Sequence, residues 1–327
     1  MSIRLPRRTV LASTAALGAG TLARHARAAF PDRPLRMILG FGPGGTVDTM
    51  ARLTADGMAR TLGQPVVVEN RPGASNTIAA EAVVRAPADG TTMLAGVFSH
   101  AVAPALVRLN YDTLTDLTGV TQLVHTPVFM FAAPNAPFST VQELVAFAKA
   151  SPGSVTFASG GVGSSAHLAL ELLQRRVGVS MTHVPYRGGG EAFQALLAGV
   201  VNLICDTPQS ATRQLLDEGR MKALAVMTPA RLPRLHFQAV AKPGLLDGRD
   251  LGVAWQGVLV RSGTPPEAID ALHRAIRDAL STPEAQTRMA ALGVEPAVQG
   301  PEAYTTFFRS EVRRWTQVAR DIGLTAQ

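Results

Sequence analysis

The sequence predicts an α/β protein of two domains, and three observations carry that reading. First, the apolar run from Met37 to Leu39 breaks into glycines at Gly40, Gly42, Gly44 and Gly45. Apolar residues then resume near helical spacing from about Thr46, at Val47, Met50, Ala51, Met58 and Leu62. Second, the same order of strand, glycines, hydroxyls and helix returns half a chain later. There, Val155 to Ala158 runs into Ser159-Gly160-Gly161-Val162-Gly163-Ser164-Ser165 and a helix through Leu173. Third, strands alternate with helices elsewhere, which implies a mostly parallel sheet with its ligand crevice beyond the strands' carboxyl ends.

From the start of the chain, residues 1–28 read as a secretory leader. Arg7-Arg8 opens it in twin-arginine fashion, Val10 to Leu22 is a modest apolar stretch, and Ala26-Arg27-Ala28 offers a small-x-small cleavage site near Ala28. The apolar run is too short and too rich in Gly, Ala and Thr to span a bilayer. The leader also explains the charge. It holds Arg4, Arg7, Arg8, Arg24 and Arg27 and no acid, so five of the seven excess positive charges leave with it. A nearly neutral remainder has no polybasic face for a phosphate backbone, which excludes nucleic acid as a partner. Cys205 is the only cysteine, so no internal disulfide forms, and its apolar strand makes it a core residue.

Past Phe30-Pro31-Asp32-Arg33-Pro34, Gly63 stops the first helix and Val66 to Glu69 forms a strand. Asn70-Arg71-Pro72-Gly73 turns into Ala74-Ser75-Asn76, followed by a helix over Thr77 to Val84 and a strand over Thr92 to Val97, which ends at Phe98-Ser99-His100. Residues Val120 to Ala133 are apolar and β-like. Ser139-Thr140-Val141-Gln142 has capping-box spacing ahead of a helix to Ala150. Three glycines follow Thr182 to Arg187 and lead into a helix from about Glu191, then a strand from Val200 to Cys205 and another from Lys222 to Met227. A strand over Val253 to Val260 returns to the first domain. Thr264-Pro265-Pro266-Glu267 reads as an N-cap with Pro in the first turn and Glu at N3, Thr282-Pro283-Glu284 opens another helix, and Pro301 opens the last. On that helix Phe308, Val312, Trp315, Ala319 and Ile322 form a buried stripe.

No Gly-x-Ser-x-Gly, Walker loop, complete Gly-x-Gly-x-x-Gly or His-Glu-x-x-His is present, so no cofactor, metal or catalytic residue is expected. What remains is a polar, uncharged, backbone-rich crevice. The first helical turn has N–H groups without intrahelical partners at an electropositive end, and glycine lets a ligand approach them, which suits a carboxylate or phosphate. Thr46, Ser75, Asn76, Ser99, Ser159, Ser164 and Ser165 stand at loop ends, with Asp206 as the one acid. Such a site binds rather than reacts. Asp48 complements its own helix N-terminus.

Six stretches in order then resemble the Bug family, the extracytoplasmic solute-binding proteins of tripartite tricarboxylate transporters. They are Phe41 to Asp48, Gln64 to Ala74, Asp89 to Thr92, Ala158 to Leu168, His183 to Gly188 and Gly257 to Pro266. The resemblance covers the chain from Phe30 onward. It implies a type II periplasmic-binding-protein fold, two α/β domains joined by crossing strands with a ligand cleft between them. Domain 1 would comprise residues 29–122 and 253–327, and domain 2 residues 123–252. It implies a periplasmic monomer that captures a small organic carboxylate (a di- or tricarboxylate, an aromatic acid or an amino-acid-like one) and delivers it to membrane permease subunits. A sensor input domain or a cofactor-binding enzyme on the same fold is the alternative. Carried over by position, Phe41, Pro43, Gly44, Gly45 and Thr46 form the first binding loop, and Ser159, Gly163, Ser164 and Ser165 the second. Ser75, Asn76, Ser99, His100, Tyr186 and Asp206 complete the expected set. Asp206 stands where the family has an acid that can face a ligand ammonium or amide; capping the following turn is its other role. Gly42 replaces a common proline, Ser75-Asn76 a common Gly-Gly, and Cys205 a large apolar residue, while Phe98-Ser99-His100 is not the commonest form. These differences ring the ligand, so the resemblance names a ligand class and no particular substrate.

Overall fold

Short apolar strands bury both faces only when helices cover them, and the chain meets that requirement twice. The computed structural model describes residues 30–126, 128–207, 211–226, 254–321 and 323. In the first part of the chain β1 (Leu35–Leu39), α1 (Thr46–Leu62), β2 (Val66–Asn70), a 3-10 turn (Ala74–Asn76), α2 (Thr77–Val84), β3 (Thr92–Val97), α3 (Phe98–Leu106) and β4 (Leu117–Thr126) follow one another. Next come β5 (Phe129–Ala132), α4 (Val141–Ala150), β6 (Thr156–Ser159), α5 (Ser165–Val177), β7 (Thr182–Pro185), α6 (Gly189–Leu197), β8 (Leu203–Asp206), α7 (Thr212–Asp217) and β9 (Lys222–Val226). The chain closes with β10 (Ala254–Arg261), α8 (Pro266–Ser281), α9 (Pro283–Ala291), β11 (Glu295–Gln299) and α10 (Pro301–Asp321).

One lobe is built on a six-stranded sheet ordered β11-β4-β10-β3-β1-β2, the other on a five-stranded sheet ordered β7-β6-β8-β5-β9. The glycine-loop strands pair in parallel, β1 with β2 and β3, and β6 with β7 and β8. Both sheets are nevertheless mixed rather than mostly parallel, because β10 runs antiparallel to β3 and β4, and β5 antiparallel to β8 and β9. Chain order explains the first case: β4 leaves for the second lobe and β10 comes back from it, so neighbours at the crossing must point in opposite directions. Thr126 pairs with Ala254 at that point. The expected division at 122/123 falls inside β4, which stays in the first sheet through Thr126.

The last helix buries Tyr304, Phe308, Val312, Trp315 and Ala319 against α3 and β10; Ile322, expected on this stripe, lies outside the described residues, as do Val253 and Met227 at two strand ends. Both tryptophans of the chain donate their indole N–H to one oxygen of Glu311, at 3.2 Å from Trp255 and 3.0 Å from Trp315. Each donor would cost about 1–3 kcal/mol if buried unpaired. Two expected caps differ. Thr140, not Ser139, caps α4 by accepting the Glu143 N–H at 3.2 Å. Thr264 does not cap α8: Pro265 occupies the N-cap, and the Thr264 hydroxyl turns back to the Arg261 carbonyl at 2.7 Å. The strand expected over Val200–Cys205 begins later, at Leu203, and leaves Val200 exposed. Among the described residues no helix is long and apolar enough to cross a membrane.

Candidate functional site

The loop from β1 into α1 is held from beneath by Asp48. Its carboxylate accepts the Gly44 N–H at 3.1 Å, the Arg52 guanidinium at 2.9 and 3.1 Å, and the Asn70 amide at 2.9 Å. The same Asn70 amide donates to the Phe41 carbonyl at 2.9 Å. Burial alone would raise the Asp48 pKa, but these donors outweigh it and hold the carboxyl below its ordinary value. Asp48 is thus committed to shaping the loop. Gly40 has to be glycine because any Cβ there would overlap Asn76. Gly45 is the N-cap of α1 and supplies no capping side chain.

The second loop, from β6 into α5, is built differently. Ser164 caps α5 by accepting the His167 N–H at 3.2 Å, which leaves its own hydroxyl proton to donate elsewhere. Gly163 adopts φ +78°, and its N–H donates to His167 Nδ1 at 3.2 Å. Beneath the loop the rings of His167 and His183 stack with centroids 4.1 Å apart, and Phe157 lies 4.8 Å from His183. The Ser159 hydroxyl meets His183 Nε2 at 2.7 Å and the Gly161 carbonyl at 3.0 Å. Burial pushes the His167 pKa down to about 4 and, with His167 beside it, that of His183 to about 3. Both rings are neutral at pH 7 and serve as a platform for the loop.

The two loops face one another. The Gly42 N–H donates to the Arg187 carbonyl at 3.4 Å, and the Thr207 hydroxyl donates to that of Thr46 at 3.2 Å, so contacts cross between lobes. They enclose a hollow of about 60 Å³. The first lobe lines it with Phe41, Gly42, Gly45, Thr46, Val47, Val97, Phe98 and Ser99, and the second with Gly160, Ser164, Ser165, Gly189, Asp206 and Thr207. The returning strand adds Ala254, Trp255 and Gln256. Among the described residues no lysine or arginine lines it, and Asp206 is its one ionisable carboxyl. Asp206 is only half-buried. Burial nevertheless pushes its pKa up to about 6, with hydrogen bonds from the Thr207 N–H and hydroxyl pulling the other way.

Seven of the fifteen expected ligand residues line this hollow: Phe41, Gly45, Thr46, Ser99, Ser164, Ser165 and Asp206. The other eight are not among its lining residues. Pro43 and Gly44 lie in the first loop, and Gly163 turns the second. Asn76, itself at φ 71°, donates its side-chain amide to the Ser99 hydroxyl. His100 is fully buried with its ring between the Val97 backbone and the Asn76 carbonyl, and burial takes its pKa to about 4. Ser159 is used within its own loop, Tyr186 packs against the second core, and Ser75 lies in the 3-10 turn. Trp255, Gln256, Thr207 and Gly189 escaped the reading of the sequence. Gln256 did carry a signal: it is the one amide in an otherwise apolar strand.

Two α/β lobes that close uncharged loops over a small hollow make a solute-binding protein. The profile of the tripartite tricarboxylate transporter family receptor matches residues 50–324, and the chain belongs to this family of periplasmic solute receptors, the Bug proteins among them. Protein BugT of Bordetella pertussis is 35% identical over 93% of this chain and 94% of its own. The solved structure of Rpa4515 from R. palustris with adipate superposes with TM-score 0.84 at 31% identity, covering 91% of this chain and 100% of that one. MatC from Rhodopseudomonas palustris with bound malate gives TM-score 0.80 at 32% identity over 88% and 99%.

Proposed function

We propose that the protein captures a small organic carboxylate between its lobes and delivers it to a membrane permease of the tripartite tricarboxylate type. The observation that carries this reading is the pair of helix starts, at Thr46 and Ser165, meeting from opposite lobes over one hollow that no basic side chain lines among the described residues. A carboxylate there would take backbone N–H groups of both first turns and the hydroxyls of Thr46, Ser99, Ser164 and Ser165. Each charge-assisted hydrogen bond contributes about 1.5–3 kcal/mol. Four or five, less the cost of ordering the lobes, reach the ~8 kcal/mol of a micromolar complex. Adipate in one relative and malate in another support the class. The ligand selects the closed form by bridging surfaces that only that form brings together.

Residues 1–28 would direct the chain to the periplasm and be removed near Ala28. Thermal-shift screening against malate, adipate, citrate, benzoate and aspartate tests the ligand class. At least one should raise Tm with micromolar affinity. If none does while a nicotinamide nucleotide stabilises the protein, the receptor reading fails and a cofactor enzyme takes its place.

A further inference from the structure

Away from the hollow, the first lobe carries a second concavity of about 930 Å³ between α10 and the segment that follows α3. One wall is a face of α10 with Arg313, Thr316, Gln317 and Arg320 at helical spacings of three, four and seven, opposite the stripe that enters the core. The other wall is formed by Val107 to Leu114 and carries Arg108. Arg108, Arg313 and Arg320 are exposed, and none forms an ion pair among the described residues. Two acids stand close by: Asp112, in the wall itself, accepts the Leu114 N–H at 2.7 Å, and Asp321 accepts the Gln317 amide at 2.7 Å, so three arginines face two carboxylates and the groove stays net positive.

Tyr111 and Thr113 line the groove as hydrogen-bonded neighbours, and Thr113 is only 3% exposed.

We propose that this groove docks an acidic peptide segment of a partner protein. Arg313 and Arg320 sit seven residues apart, so their Cα atoms are about 10 Å apart along the helix. That matches carboxylates three residues apart on a polyproline II peptide, which rises about 3.1 Å per residue and returns to the same face every third residue, and it exceeds the span of a single small anion. The occupant comes from another molecule, because no segment of this chain outside the described residues is acidic. Residues 1–29 and 227–253 are net basic, and the remaining ones carry no side-chain charge. The inference stands apart from the carboxylate hollow and needs no ligand there.

Fluorescence anisotropy tests it with a fluorescein-labelled Glu-Ser-Gly peptide of four repeats and its Gln-Ser-Gly counterpart. The Glu peptide should bind the whole protein about ten-fold more tightly at low salt, as expected for two or three exposed Arg–carboxylate pairs. The R313A/R320A variant should lose that preference while keeping its thermal shift with hollow ligands, which shows that it is folded. Equal affinity for the two peptides overturns the proposal, as does a preference that survives R313A/R320A. Binding of inorganic phosphate or phosphatidylglycerol vesicles through the same arginines, without the Glu peptide, overturns it in favour of a small-anion or lipid site.

Discussion

Asp206 gives the sharpest handle on what the hollow holds. Its pKa rises from 3.8 to about 6 in the closed lobes. In an open cleft the carboxyl would be hydrated and return toward its ordinary value, so closing takes up a proton between those two values. The sign follows from linkage: a group whose pKa is higher in the bound form makes binding stronger as pH falls. From pH 8 to pH 5 nearly one proton is taken up, which corresponds to about one log unit of affinity, or ~1.4 kcal/mol. Because the side chain keeps partial exposure, screening reduces this to about three- to ten-fold. Asp206→Asn keeps the acceptor for the Thr207 N–H and removes the titration. Isothermal titration of malate into both proteins across pH 5–8 cancels the ligand's own ionisation in the comparison. The wild type should gain about three- to ten-fold over the variant at the acid end. Parallel profiles would refute burial of Asp206 on closure. A wild type that instead loses ground as pH falls would point to a ligand ammonium against the carboxylate and refute a purely anionic ligand.

Asp48→Ala should free the first loop by removing the acceptor of Gly44, Arg52 and Asn70. Urea unfolding should show a loss of about 1–3 kcal/mol, and calorimetry a roughly ten-fold weaker ligand. Gly163→Ala places a methyl group at φ +78° where a Leu106 methyl already sits. It should cost about 1–3 kcal/mol, read as a lower Tm and weaker ligand binding, and Leu106→Ala should restore part of it. Trp255 borders the hollow and Trp315 does not. Ligand-induced change in tryptophan emission should therefore persist in Trp315→Phe and vanish in Trp255→Phe; the reverse would misplace the ligand.

The glycine loops were readable because their chemistry is local. Glycines, then a hydroxyl, then apolar residues at helical spacing specify a helix start wherever they occur, and the α1 and α5 starts fall at Thr46 and Ser165. Asp206 was readable as the polar end of an apolar strand. What a hydroxyl faces is a tertiary matter: Ser159 and Ser164 look alike in sequence, yet one turns into its own loop and the other borders the hollow. His100 and Asn76 sit at loop ends like ligand residues but satisfy neighbouring backbone and Ser99. Trp255 and Gln256 reach the site only because β10 inserts between β3 and β4, a pairing separated by more than a hundred residues. Thr264 shows a local rule overruled by its neighbour, since Pro265 takes the cap position.

Among the described residues no cationic side chain lines the hollow, and that bears on how such a receptor ages and lets go. Peptide N–H groups are present whichever amino acid is encoded, so drift in the gene cannot easily erase the grip; it alters only the shape and polarity of the rim. Relatives sharing a third of their residues can therefore hold different guests with common hardware. A guest held in the way proposed above, by many modest contacts, would also depart once the lobes part, which would suit the proposed delivery to a permease.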